Sequence, residues 1–192
     1  MTDVNNFLLT ENITVGQTKQ WIKNKNEQSK ENLIKLINHR FYNRYVKHLK
    51  KIDSGFLKMA ISCLMIETME SFVQGKKNTK GKGVGLKMFK DFFKRESKLF
   101  PNFDSIAVDF YSNIRCGILH QAETTNAWRI LRKDSLLDKK NKTVNATKFV
   151  LALNKSLGNY IKDLERNDFN SRIWKNAIVK LEDICENCKV SY

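Results

Sequence analysis

Apolar residues recur at steps of three and four along most of the chain. Trp21 and Ile22 begin the pattern after Thr18, and Leu33, Ile34, Leu36, Ile37, Phe41, Tyr45 and Leu49 continue it. That spacing lines one face of an α-helix. Asp53-Ser54-Gly55 interrupts it. A second long helix follows, with Phe56, Leu57, Ala60, Ile61, Leu64, Met65, Thr68 and Phe72 on its apolar face; residues 59–66 carry no charge, which marks it as the central core helix. Leu86, Met88, Phe89, Phe92 and Phe93 predict an amphipathic helix over 86–99, closed ahead of Pro101. Helices are further predicted over 103–122, 149–164 and 173–185. Around residues 128–147 the helical period is lost, and a small β-hairpin or loop excursion is expected there.

The fold class that follows is all-α: one helical domain spanning residues 1–192, with a polar arm over 1–15. The glycine- and lysine-rich stretch 75–85 (GKKNTKGKGVG) reads as a mobile basic loop. One proline and eight glycines leave little material for the turns of a sandwich or barrel. A hydrophobic share of 41% and a charged share of 29% are those of a globular chain.

Charge narrows the function. Thirty-five Lys and Arg against 20 Asp and Glu give +15, an excess that attracts phosphate-rich partners, RNA foremost. No apolar run is long enough for a bilayer, and MTDVNNFLLTEN has neither the basic start nor the apolar core of a secretory signal. The expected location is therefore the cytoplasm, where sequons at Asn12, Asn141 and Asn145 have no consequence. Cys185 and Cys188 have the spacing of half a zinc site, but Cys63, Cys116 and the histidines offer no second ligand pair, so a reduced, metal-free pair at a helix end is expected. The 75–85 loop is not a phosphate-binding P-loop: five residues separate Gly75 from Gly81, and Gly83 follows Lys82 where Ser or Thr is required. His39 and His48 read as helix-surface residues.

The charge is unevenly spread. Residues 1–52, 53–98 and 129–170 each carry ten basic side chains, whereas 99–128 carry only Arg115, against Asp104, Asp109 and Glu123. Within that segment Phe103, Ile106, Ala107, Phe110, Ile114, Ile118 and Ala122 form one apolar stripe. At about 100° per residue, Arg115 and His120 lie about 140° apart on the shoulders of the opposite face. Ser112, Cys116, Leu119 and Glu123 lie between them. A face so poor in charge suits packing against a second copy of the same helix, which would bring Arg and His of two chains together. Gly117 would allow a close helix approach or a bend.

Arg115-Cys-Gly-Ile-Leu-His120 resembles the R-x4–6-H motif of the HEPN superfamily (higher eukaryotes and prokaryotes nucleotide-binding domains), and it stands late in a helical chain as it does there. The family usually places a polar residue, often Asn, after the Arg; here it is Cys116. The resemblance implies a helical bundle of HEPN type and a metal-independent endoribonuclease, a defence or toxin-like effector acting as a homodimer through the motif helix. In that chemistry the RNA 2′-OH attacks its own phosphate, giving a 2′,3′-cyclic phosphate and a 5′-OH end. The protein has only to move protons and stabilise the phosphorane. His120 would be the general acid/base and Arg115 the phosphate fork. Asn113, Cys116 and Glu123 would orient them, and no cofactor or metal is required. Lys76, Lys77, Lys80 and Lys82 on one loop, with Lys139, Lys140 and Lys142 on the other, would hold the RNA backbone. An antitoxin or defence protein is a possible partner. Two other readings stay open: a catalytically silent HEPN-like module that binds RNA or protein, and a helical DNA-binding regulator using the 28–44 helix.

Overall fold

The computed structural model describes residues 3–188. The chain is mostly helical with a small three-stranded sheet. In chain order the helices are α1 (Val15–Asn24), α2 (27–49), α3 (Gly55–Gln74), α4 (Val84–Arg95), α5 (107–121), α6 (Ala146–Arg166) and α7 (Arg172–Glu186). Two of them change pitch along their length: α2 is π-helical over His39–Val46, and α5 over Phe110–Arg115. The described residues fall into two compact units, one of 3–44, 71–78 and 159–188, the other of 45–70 and 79–158.

In the first unit α1 starts at a reciprocal cap. The Thr14 hydroxyl accepts the Gln17 N–H at 3.2 Å, and the Gln17 side chain accepts the Thr14 N–H at 2.9 Å. Asn26 caps α2 with a single bond, its side chain accepting the Ser29 N–H at 2.8 Å. The apolar faces then meet in a core of Val15, Leu33, Leu36, Ile37, Phe41, Phe72, Leu164, Trp174 and Leu181, all buried. Within the expected polar arm over 1–15, part of the chain is anchored. Leu8 bridges Thr14, Leu9 is buried, and the Arg44 guanidinium donates to the Leu9 carbonyl. The sequence pattern missed this because a single anchoring leucine has no periodicity.

The second unit is built around phenylalanine. Phe89, Phe92, Phe93, Phe100, Phe103, Phe110 and Phe149 are all fully buried, and Phe93 lies within 6.3 Å, centroid to centroid, of each of the other six. To reach this cluster the chain leaves α4 at Arg95, earlier than the expected 99. The Phe100 N–H returns to the Glu96 carbonyl, and the turn carries Phe100 and Phe103 inward. Helix α3 also departs from expectation. Its buried residues include Met59, Ser62, Cys63, Met65, Ile66 and Met69, while Leu57 and Leu64 are each 44% exposed and Ala60 and Ile61 half-buried. A helix apolar on all sides gives the periodicity nothing to choose between.

The excursion is a sheet of β1 (Arg129–Leu131), β2 (Leu137–Asp138) and β3 (Thr143–Asn145), ordered β1-β3-β2. β2 and β3 form the expected hairpin, antiparallel, with Leu137 opposite Val144; β1 adds to the other edge of β3 in parallel. Paired on both sides, β3 is buried throughout. Its Asn145 donates to the Asp134 carbonyl and caps α6 through the Lys148 N–H, both at 3.0 Å.

Candidate active site on the motif helix

Arg115 closes the π-helical segment of α5, and His120 lies one turn on, in the α-helical end Cys116–Gln121. Both belong to the second unit. Their surroundings differ. Arg115 is mostly buried. Its Nε and Nη2 both reach Glu67 Oε1 on α3 at 2.8 Å, its Nη1 lies 4.0 Å from Cys116 Sγ, and its guanidinium stands 5.3 Å from the centre of the Tyr111 ring. Burial works against the Arg115 charge, but the hydrogen bond and the negative charge of Glu67 outweigh it and hold the pKa above its ordinary value. Burial pushes the Tyr111 phenol up, against the lowering effect of the same arginine. Burial also raises the Cys63 thiol, which sits one helical turn before Glu67 and feels Arg115 as well. Arg115 is thus permanently charged and oriented, with Nη1 its least committed corner.

His120 is exposed, and among the described residues it makes no hydrogen bond or ion pair. Helix α5 ends just beyond it, at Ala122, in the left-handed region with φ 56°. Ala122, expected to close the apolar stripe, is therefore an exposed cap. The chain then folds back over the helix. An ideal Cβ on Gly117 would lie 2.5 Å from the Glu123 carbonyl oxygen and 3.2 Å from Thr124 Cα. The space kept by this glycine is filled by the chain's own return loop. Alanine here gains about 1 kcal/mol of helix propensity, yet the overlap with rigid backbone outweighs that gain. Gly117→Ala is expected to lower stability by about 1–2 kcal/mol in urea denaturation; an unchanged midpoint would show the loop is not held there.

The remaining expected site residues divide. Cys116 stands beside Arg115. Asn113 does not face the motif pair: its amide donates to Asp109, its Oδ1 accepts the Thr125 hydroxyl at 2.8 Å, and Asp109 takes the Trp128 indole N–H at 2.9 Å. Asn113 thus fastens the return loop to α5. Exposed Glu123 accepts from the Thr124 N–H and hydroxyl. Neither residue orients His120.

The basic loops are partly committed. Lys76 is half-buried and Lys77 exposed; the Lys77 carbonyl accepts from Lys180 and its ammonium faces Glu186 at 4.0 Å. Lys80 and Lys82 are exposed ahead of α4. Lys139 donates to Ser105 Oγ and Lys142 to the Asn126 carbonyl, each at 3.1 Å, and Lys140 is exposed on the hairpin turn. Lys76 and Lys77 belong to the first unit, and the other five to the second.

Glu67 and Tyr111 were missed from the sequence. A signal for Glu67 existed: it is the first charge after Lys58 on an apolar helix, and Arg115 is the lone cation of residues 99–128. Among the described residues no three His, Cys, Asp or Glu side chains come together as a metal site. Cys185 is buried, with its thiol pushed up to about 11 chiefly by burial, while Cys188 Sγ lies 3.3 Å from the Ile184 carbonyl. No helix among the described residues is long and apolar enough to cross a membrane. Compared with known proteins, the chain matches no family, no curated sequence and no solved structure.

Proposed function

We propose that this chain is a metal-independent endoribonuclease of HEPN type, acting as a homodimer whose composite site joins Arg115 and His120 of two copies. The observation that carries the reading is the contrast between the two side chains: an arginine held charged and oriented, and a histidine left exposed one helical turn away. The first suits an oxyanion and the second proton transfer. The dimer is supported by Leu57, Ala60, Ile61, Leu64 and Thr68, an outward stripe on α3, and by the exposed Val108 and Leu119 on α5. An apolar helix face left open beside the Arg115–Glu67 bond is a reason to expect a partner. A net charge of +15 supports RNA as the substrate.

The testing experiment is RNA cleavage by purified protein in excess EDTA, with end-group analysis. The reading requires 2′,3′-cyclic phosphate and 5′-OH products that vanish in His120→Ala. Intact RNA of every kind with the wild type would refute it. A companion test addresses the dimer: Leu64→Glu is expected to weaken self-association by roughly a hundredfold, seen as monomeric mass in sedimentation where the wild type is dimeric. A wild type that is monomeric throughout would remove the composite site.

A second reading is favoured by one observation. Glu67 already takes two of the donors that a phosphate would use on Arg115. In a catalytically silent module that bond would be the arginine's whole role, and the protein would bind RNA or a partner protein without cutting.

A further inference from the structure

The second unit holds a cleft of about 580 Å³ lined by Asp53, Lys58, Leu131, Arg132, Lys133, Asp134 and Thr147. It lies where the first turns of two long helices converge. Asp53 immediately precedes α3 and Lys58 is in its first turn; Thr147 is in the first turn of α6. Gly55 makes the convergence possible, because a Cβ there would lie 3.0 Å from Ile130 Cγ2 and 3.7 Å from both Ala146 Cβ and Arg132 Cγ. Both helices, of 20 and 21 residues, therefore direct positive dipole ends toward one region.

Lys58 is the feature that asks for a ligand. It is only 7% exposed, and among the described residues its ammonium makes no hydrogen bond or ion pair. Its stem is enclosed, and its ammonium opens to the cleft, where no protein group pairs with it. Its position in a helical first turn adds repulsion from the dipole. An anion in the cleft would pair with the ammonium and relieve that repulsion. The other charges leave room for one. Arg132 is paired with Asp53 and donates to the Asp53 carbonyl at 3.3 Å, so Asp134 is the one lining carboxylate not paired with Arg132, against two lining lysines, Lys58 and Lys133. Thr147 offers a hydroxyl, and Leu131 an apolar wall.

We propose that this cleft is a binding site for the phosphomonoester group of a nucleotide-sized ligand, with Lys58 as its principal contact and Lys133 and Thr147 as secondary ones. A dianion suits two ammonium groups and two dipole ends better than a monoanion does. The cleft has the volume of a mononucleotide site. The ligand's source is either a free mononucleotide or the 5′-phosphorylated end of an RNA. The site uses neither Arg115 nor His120, so it stands apart from the nuclease reading.

The test is titration calorimetry on the full chain with adenosine 5′-monophosphate, adenosine, and one short RNA in 5′-phosphate and 5′-hydroxyl forms. Lys58→Met keeps the buried stem and removes the charge. It is expected to weaken phosphate-dependent binding by roughly tenfold or more, whereas Lys58→Arg retains it. Binding of the mononucleotide supports the free ligand as the source; preference for the 5′-phosphate RNA alone supports the RNA end. Lys133→Gln, at an exposed position, should weaken the same ligand by a smaller factor and carries the test if Lys58→Met does not fold. The proposal is overturned if no phosphate-bearing probe binds better than its phosphate-free counterpart. It is equally overturned if folded Lys58→Met binds as tightly as wild type, or if both RNA forms bind alike through Lys58, which would make the cleft a reader of backbone diesters.

Discussion

His120→Ala is expected to slow metal-free RNA cleavage by about 10²–10⁴-fold, the usual contribution of a positioned acid or base. The substitution is informative because His120 is exposed and without a partner among the described residues, so stability should change by no more than about 0.5 kcal/mol. Lost activity would then report chemistry rather than folding. Arg115→Ala is a poorer probe. It would strand the Glu67 carboxylate, whose side chain is only 15% exposed, and strip a cation from the Tyr111 ring; breaking such an enclosed pair is destabilising in itself. The decisive measurement is single-turnover cleavage of one labelled RNA by both proteins, with the ends identified. Equal rates would exclude His120 from the reaction.

The largest expected loss of stability belongs to Phe93→Ala, about 4 kcal/mol. Phe93 is fully buried and touches all six other rings of the phenylalanine cluster, at centroid distances from 5.0 to 6.3 Å. Truncation removes the transfer free energy of the ring and the edge-to-face contacts with its neighbours. It also leaves a cavity that six aromatic side chains, fixed on three helices and a turn, close only in part. Urea denaturation gives the value directly. A loss below about 1 kcal/mol would mean the cluster repacks freely. Because Phe110 of the motif helix lies in this cluster, Phe93→Ala should lower activity by unfolding a fraction of molecules, a deficit that disappears on cooling.

The sequence made most of this helical frame legible, for a simple reason. Where one face of a helix is apolar and the other charged, as in α4 and α7, the period alone identifies both element and orientation. It failed where that contrast is absent. Helix α3 is apolar all round, so Leu57 and Leu64 were read as core and are half exposed. In the motif helix the stripe held through Phe110 and Ile114 and broke at Ala122, where a left-handed cap ends the helix. The candidate site was legible as two side chains on one helix; its setting was not. Glu67 lies 48 residues before Arg115, and Asn113 proved to serve the return loop through Thr125. The parallel pairing of β1 with β3 was hidden for the same reason, since short strands carry no information about which neighbour they choose.

The division of the chain also bears on how the protein is made. Residues 45–70 and 79–158 are enough to assemble the unit that carries the phenylalanine cluster, the motif helix and the Lys58 cleft, apart from a short excursion between them. The other unit includes contacts of α1 with α7, elements separated by most of the described residues, and so waits for α7 to leave the ribosome. Closing so long a loop adds little to the equilibrium cost but much to the folding time. During synthesis every residue of the unit that bears the proposed chemistry has been made before α7, on which the other unit depends, is complete.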